Sequence, residues 1–258
     1  MSAPISGEAG RILFVSDLHL SDERPQSNER FFRFLVEEVR GARALYILGD
    51  LFESWIGDDD LDAHAGCALG RAVVDALGAL TRRGTPLFLM HGNRDFLIGQ
   101  RMCRSAGAKL LDDPSVVEIA GVRTLLVHGD TLCTDDLDYQ AWRATARSEA
   151  WRRQFLSRSL SERREIARDL RDRSRAMTRA KSPEIMDVNQ EAVRDALRRE
   201  GVRRMIHGHT HRPAMHELQI DGKACERWVL PDWYGTGGYL EVTDVAPRLV
   251  LFAEGAGT

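Results

Sequence analysis

Short apolar runs recur along the chain, and most of them stop at a glycine or beside an acid, an amide or an imidazole. Arg11 to Ser16 encloses four apolar residues in a row, the pattern of a strand buried on both faces. Ala44 to Leu48, Pro86 to Met90, Ala108 to Leu111, Ser115 to Ile119 and Arg123 to Val127 read as further strands. Ala120 and Gly121 turn the last two against each other. Helical spacing lies between the early strands. Asn28 to Arg40 places Phe31, Phe32, Leu35, Val36 and Val39 on one stripe, and Ala63 to Arg83 is closed by Gly84. Another amphipathic helix, Asp187 to Glu200, ends at Gly201 and leads into a strand, Val202 to Ile206. Met215 to Phe252 reads as three or four strands, with turns at Asp221-Gly222 and Gly235 to Gly238.

One stretch breaks this rhythm. From about Leu137 to Lys181 strand signals vanish and the pattern is helical and polar, until Pro183 interrupts it. Between Trp142 and Lys181 twelve Arg and one Lys face five acids, although the whole chain carries a net charge of −3. This basic segment has three readings. It attracts anionic headgroups, it lines a cleft for an anionic substrate, or it is a solvated helical face with pairs such as Glu149/Arg153 and Arg168/Asp172.

The 258 residues suffice for one large domain or two small ones, and 43% hydrophobic content allows a sizeable core. No apolar run approaches the roughly 18 residues that a membrane span needs. Met1 to Gly10 has neither a basic start nor an apolar centre, so no secretory leader is expected there. Cys67, Cys103, Cys133 and Cys225 lie far apart without zinc spacing, which suits reduced thiols in a cytosolic protein. The acidic overall balance gives no reason to expect nucleic acid as a partner.

The ends of five strands carry Asp17/His19, Asp50, Asn93, His128 and His209/His211. All seven offer oxygen or imidazole donors. The i, i+2 spacing of Asp17 with His19, and of His209 with His211, puts each pair on one face if the backbone there is extended. Seven donors exceed the four of one tetrahedral zinc and suit two ions sharing a carboxylate. Two divalent cations against Asp17 and Asp50 leave a positive site, which favours a phosphate anion. The donor set fits manganese well.

In order, Asp17-Leu18-His19, Gly49-Asp50, Gly92-Asn93-Arg94-Asp95, His128-Gly129-Asp130 and Gly208-His209-Thr210-His211 resemble the calcineurin-like metallophosphoesterase superfamily. Longer runs, among them Trp55 to Asp60, His91 to Phe96, His128 to Asp136, Ile185 to Gln190 and His207 to Pro213, resemble its UDP-2,3-diacylglucosamine pyrophosphatase family. The resemblance implies an α/β fold, a two-sheet β-sandwich flanked by helices in four αββα layers. It also implies a single domain over residues 1–258 with a helical lid insert at about 137–181.

The implied chemistry is hydrolysis of UDP-2,3-diacylglucosamine by water attack on the α-phosphorus. The products are UMP and 2,3-diacylglucosamine 1-phosphate, a step of lipid A synthesis. A broader nucleotide pyrophosphatase with the same centre is the alternative. Two Mn²⁺ are implied: one held by Asp17, His19 and His211, the other by Asn93, His128 and His209, with Asp50 between them. Asp50, Asn93, Arg94 and His209 take the catalytic roles. Substrate contacts are implied at Asn93, Arg94, Asp136, Tyr139, Ser174, Thr178, Lys181 and His209. Phe155, Leu156 and Leu160 are the main apolar candidates of the insert. Asp95 and Asp130 are expected to orient ligand imidazoles, and His91 and His207 to be structural. The implied location is the cytoplasm, in peripheral contact with the inner membrane.

Overall fold

The computed structural model describes residues 10–62, 67–181 and 185–252, with the side chains of 178–180 outside that description. Among the described residues, eleven strands form two sheets. The first runs β11 (Pro247–Leu251), β10 (Gly238–Val242), β1 (Ile12–Val15), β2 (Ala44–Leu48), β3 (Leu87–Met90), β4 (Ala108–Leu111). Its β1 to β4 portion is parallel, and β10 and β11 are antiparallel additions. The second runs β5 (Ser115–Ile119), β6 (Val122–Leu126), β7 (Arg204–His207), β9 (Lys223–Val229), β8 (Ala214–Ile220). In it β6, β7 and β9 are parallel.

The unbroken apolar runs make sense because both faces of each central strand are covered. Ile12 and Phe14 of β1 point into the layer between the sheets, with Tyr46, Leu48, Leu126 and Ile206. Leu13 and Val15 point the other way, onto the helices. There they meet α1 (Pro25–Glu37), α2 (Ala68–Arg82) and α3 (Gln100–Ala106). The outer face of the second sheet packs Leu125 and Met205 against Val193 and Leu197 of α7 (Gln190–Glu200). The layers are therefore helix, sheet, sheet, helix. Between the sheets Phe14 stacks on Tyr46 at 4.7 Å, and Tyr46 on Phe88 at 4.4 Å, tying three parallel strands together.

Three helices stand between β6 and α7: α4 (Leu137–Ala146), α5 (Glu149–Leu156) and α6 (Leu160–Ala180). Asp136 caps α4 and Ser148 caps α5. Phe155 is buried in the helix-side core, with Trp151, Leu160, Ile166 and Ala167 packed against it. The charges of this segment are largely spent inward. Arg163 is only 3% exposed and holds both carboxylate oxygens of Asp59 and the carbonyl of Ile56. Arg164 pairs with Asp60, and Lys181 with Asp136 at 2.6 Å. Glu149 and Arg153 do form the surface pair expected of them.

Several expectations need correction. The α1 stripe is Phe31, Phe34 and Leu35, which with Ser27 form one face at helical spacing; Val36 lies off that face and is 60% exposed, and Val39 is buried just beyond the helix end. The helix α3 carries no long apolar period, and its seven residues gave no signal. The helix before Gly201 begins at Gln190, where Asn189 caps it, and residues 63–66 of the expected second helix lie outside the described residues. The four cysteines are free.

Candidate metal centre

All five sequence positions of the constellation meet at one edge of the sandwich, where parallel strands of both sheets end. How they are held is more specific than strand ends alone suggest. Asp17, His19, Asp50, His209 and His211 all have positive φ, between 49° and 70°. The paired residues are therefore not in extended chain, and the i, i+2 argument gave the right convergence for the wrong local geometry. Left-handed backbone at non-glycine residues is strained, and such strain persists where the surroundings over-determine it.

The surroundings do so through two carboxylates with divided duties. Asp17 accepts the His209 N–H on Oδ2 at 2.8 Å, which leaves Oδ1 facing His211 Nε2 at 3.5 Å and His19 Nε2 at 3.9 Å. Asp50 accepts the Arg94 N–H on Oδ1 at 2.8 Å, which leaves Oδ2 at 3.7 Å from His19 Nε2 and 3.8 Å from His128 Nε2. Asn93 Oδ1 lies 3.0 Å from both His128 Nε2 and His209 Nδ1. His128 Nδ1 is fixed on the Leu48 carbonyl at 2.9 Å, so Nε2 is the atom presented.

Glycine is obligatory around these groups. A Cβ at Gly92 would stand 2.0 Å from Asp50 Oδ1, and one at Gly208 would stand 2.2 Å from Asp17 Oδ2. Asp95 lies beneath, accepting N–H groups from Leu51 and Gly92 at 2.8 Å each. It ties two ligand-bearing loops together instead of orienting an imidazole. Asp130 likewise takes Tyr139 Oη at 2.6 Å and Arg143 Nε at 2.7 Å.

The carboxylate that does reach an imidazole is Glu53, whose Oε2 lies 3.2 Å from His19 Nδ1. It was missed although it stands only three residues after Asp50. Its signal was its place in that run. Tyr234 was also missed: its ring stacks on His19 at 4.6 Å, and its hydroxyl donates to Glu53 at 2.9 Å. His91, half-buried, has Nε2 2.7 Å from the Ile98 carbonyl, and His207, fully buried, lies between Gly208 and Arg227, both in structural roles.

Among the described residues, Asp17 Oδ1 and both ring nitrogens of His19 are buried atoms with no aligned hydrogen-bond partner, Nδ1 although Glu53 Oε2 stands 3.2 Å away. Buried polar atoms are ordinarily paired, and unpaired donors gathered at one site point to a ligand there. Two triads, Asp17/His19/His211 and Asp17/Asp50/His128, bring their donor atoms within 4.8 Å of one another, which fits a divalent cation at each. The electrostatics agree. Burial pushes Asp17 up, but its bond to His211 and the neighbouring imidazoles hold it far below the carboxylate range. Burial likewise lowers His128, yet Asp50 and Asp17 push it up to about 9. The acids hold protons on His128 and His211, while burial and the neighbouring His128 push His209 down to about 4, and a metal ion would displace the protons that are held.

Residues 10–213 match the calcineurin-like phosphoesterase family. The chain belongs to that family. The family implies a divalent-metal site, and the donors just described can hold one. Relatives named UDP-2,3-diacylglucosamine hydrolase come from several bacteria. That of Pseudomonas paraeruginosa is 50% identical over 90% of this chain and 94% of its own length. That of Azotobacter vinelandii is 50% identical over 93% and 98%, and that of Aromatoleum aromaticum 47% over 93% and 96%.

Beside this phosphoesterase centre lies a cleft of about 350 Å³, roofed by α4, α5 and α6. Of the residues expected to contact substrate, Asn93, Arg94, Asp136, Tyr139, Ser174 and Lys181 line it, whereas His209 is not among its lining residues. Two are already engaged: Lys181 with Asp136, and the Tyr139 hydroxyl with Asp130. The side chain of Thr178 lies outside the described residues. Trp55, Phe96, Leu97, Trp142, Trp151, Phe155, Leu170 and Met177 supply an apolar wall. The insert is thus greasier toward the cleft than its composition suggests. Of the three residues singled out, only Phe155 lines it, while Leu156 is 40% exposed.

Proposed function

We propose that this protein hydrolyses UDP-2,3-diacylglucosamine to UMP and 2,3-diacylglucosamine 1-phosphate, within lipid A biosynthesis. The observation that carries this reading is the cleft, whose polar end opens on the phosphoesterase centre and whose other walls are aromatic and aliphatic. A nucleotide pyrophosphatase without lipid substrates has no use for such walls. The names of the relatives agree with it.

Two Mn²⁺ fit the donors: one with Asp17, His19 and His211, a second with Asn93, His128 and His209, and Asp50 Oδ2 between the sets. When bound, such a pair activates water and neutralises the phosphate charge. The chain does the rest. Arg94, in the loop after β3, gives its N–H to Asp50 and lines the cleft, where its guanidinium can hold a phosphate oxygen bidentately. Water adds to the α-phosphorus, and the bond to the bridging oxygen breaks. Both products leave as phosphates, so no strong acid is required. Lys181, Ser174 and Asp136 orient the sugar, and the aromatic wall takes the acyl chains.

No described helix is long and apolar enough to cross a membrane. Leu137, Trp142, Leu156, Met177 and Ile185 are exposed on or next to the insert helices, at 38% to 76%. With the arginines they suit peripheral docking on an anionic bilayer. The test is purified protein with Mn²⁺ and the diacyl substrate, released UMP being quantified against a chelator control. Turnover of UDP-N-acetylglucosamine equal to that of the lipid substrate would overturn the lipid assignment.

A further inference from the structure

One buried carboxylate belongs both to the imidazole of His19 and to the lid. Glu53, 3% exposed, follows β2 and Asp50 in the same loop. Its Oε2 faces His19 Nδ1 at 3.2 Å and accepts the Tyr234 hydroxyl at 2.9 Å. Its Oε1 faces Arg175 at 3.6 Å and Arg171 at 3.8 Å, both on α6. Arg171 also reaches Glu23, in the loop after β1, at 3.3 Å. On the other side of His19, Tyr234 is clamped by Arg24, which lies 3.8 Å over its ring. The imidazole is therefore fixed by a wedge whose position depends on Glu53. The arginines that hold α6 depend on the same group. Arg171 Nε is a buried donor with no partner, and Arg171 lines the cleft.

We propose that Glu53 is a positioning residue that couples docking of the lid helix to the metal centre, one oxygen orienting His19 and the other anchoring α6. The proposal rests on the reading of His19 as a metal ligand. An ion drawn to His19 Nε2 fixes the ring, the ring fixes Glu53, and Glu53 in turn presents its second oxygen to Arg171 and Arg175. Coupling of this kind is reciprocal: whatever factor the ion adds to lid docking, docking must add to ion affinity. An anionic substrate entering the cleft competes with Glu53 for Arg171. Substrate arrival would then be felt at His19.

The test uses the full-length protein and two readouts other than turnover: Mn²⁺ affinity by equilibrium titration, and the rate of tryptic cleavage within the arginine-rich α6. In the native protein Mn²⁺ should slow that cleavage. Glu53→Gln keeps size and an acceptor for Tyr234 but loses the charge. It should weaken Mn²⁺ binding about 10-fold or more, the range for groups that orient metal ligands, and abolish the Mn²⁺ effect on cleavage. Arg171→Gln with Arg175→Gln leaves the core untouched. It should lower Mn²⁺ affinity by the factor by which Mn²⁺ protects α6. Native affinity in that double variant, with Mn²⁺ still protecting α6 in Glu53→Gln, would overturn the coupling. His19→Ala is the control for the underlying reading. Undiminished Mn²⁺ binding there would refute the ligand assignment itself, whereas weakened binding there with a normal Glu53→Gln would refute only the coupling.

Discussion

The rim of the sandwich and the lid above it are held by opposite means. At the rim, short side chains are fixed by backbone N–H groups, by left-handed backbone and by glycines that leave no room to move. At the lid, long arginines reach across to acids on other segments, and two of those acids, Asp59 and Glu23, are more than half exposed. Apolar contacts of Phe155 and Trp151 add a second hold. The difference teaches that the reacting atoms need fixed geometry, while the enclosure must open for a large amphiphile to enter and leave. Fixed geometry comes from backbone. Adjustable enclosure comes from ion pairs, which salt screens.

The comparison can be broken from the rim first. Asp50→Asn should lower kcat on the order of a thousandfold, since it removes the charge between the two donor sets. Near-native turnover of that variant would end the dinuclear reading. Gly92→Ala should cost roughly a hundredfold, because a Cβ within 2.0 Å of Asp50 Oδ1 must displace it. Metal content should fall with it, as measured by elemental analysis of the dialysed protein. On the lid side, Arg163→Ala should raise KM roughly tenfold with kcat nearly kept, because the enclosure loosens and the chemistry does not. A fall in kcat alone would contradict the division of labour.

The smallest effect is in acid. Hydrogen bonding to Arg163 holds the Asp59 carboxyl below its ordinary value of 3.8. A carboxylate depressed in the folded state contributes stability above its unfolded value and loses it as pH falls through the folded one. Lid protection from pepsin should therefore weaken below about pH 3.8 in the native protein. In Asp59→Asn it should be weaker at neutral pH and flatter across that window.

Much of this was legible in the chain. Buried strands betray themselves by unbroken apolar runs, and donors at their ends follow from where parallel strands stop. Gly49, Gly92 and Gly208 stand beside the donors in the sequence, but that each is a close approach is visible only in the fold. Other features could not be read. The positive φ of Asp17 and His19 depends on hydrogen bonds to residues about 30 and 190 positions away, such as Gly49 and His209. The apolar wall of the cleft was hidden because Trp142, Trp151, Leu170 and Met177 are diluted among arginines. Glu53 was hidden because its partners, His19, Tyr234 and Arg171, come from three remote segments.

The donors divide evenly enough to matter for the whole molecule. Asp17, His19, Asp50 and Asn93 leave the first sheet, while His128, His209 and His211 leave the second. A cation seated among them would rivet two plies that otherwise adhere through their greasy middle and a few hydrogen bonds at the rim. Stripping such rivets should let the plies shear, so that chelation lowers the melting temperature as well as the rate.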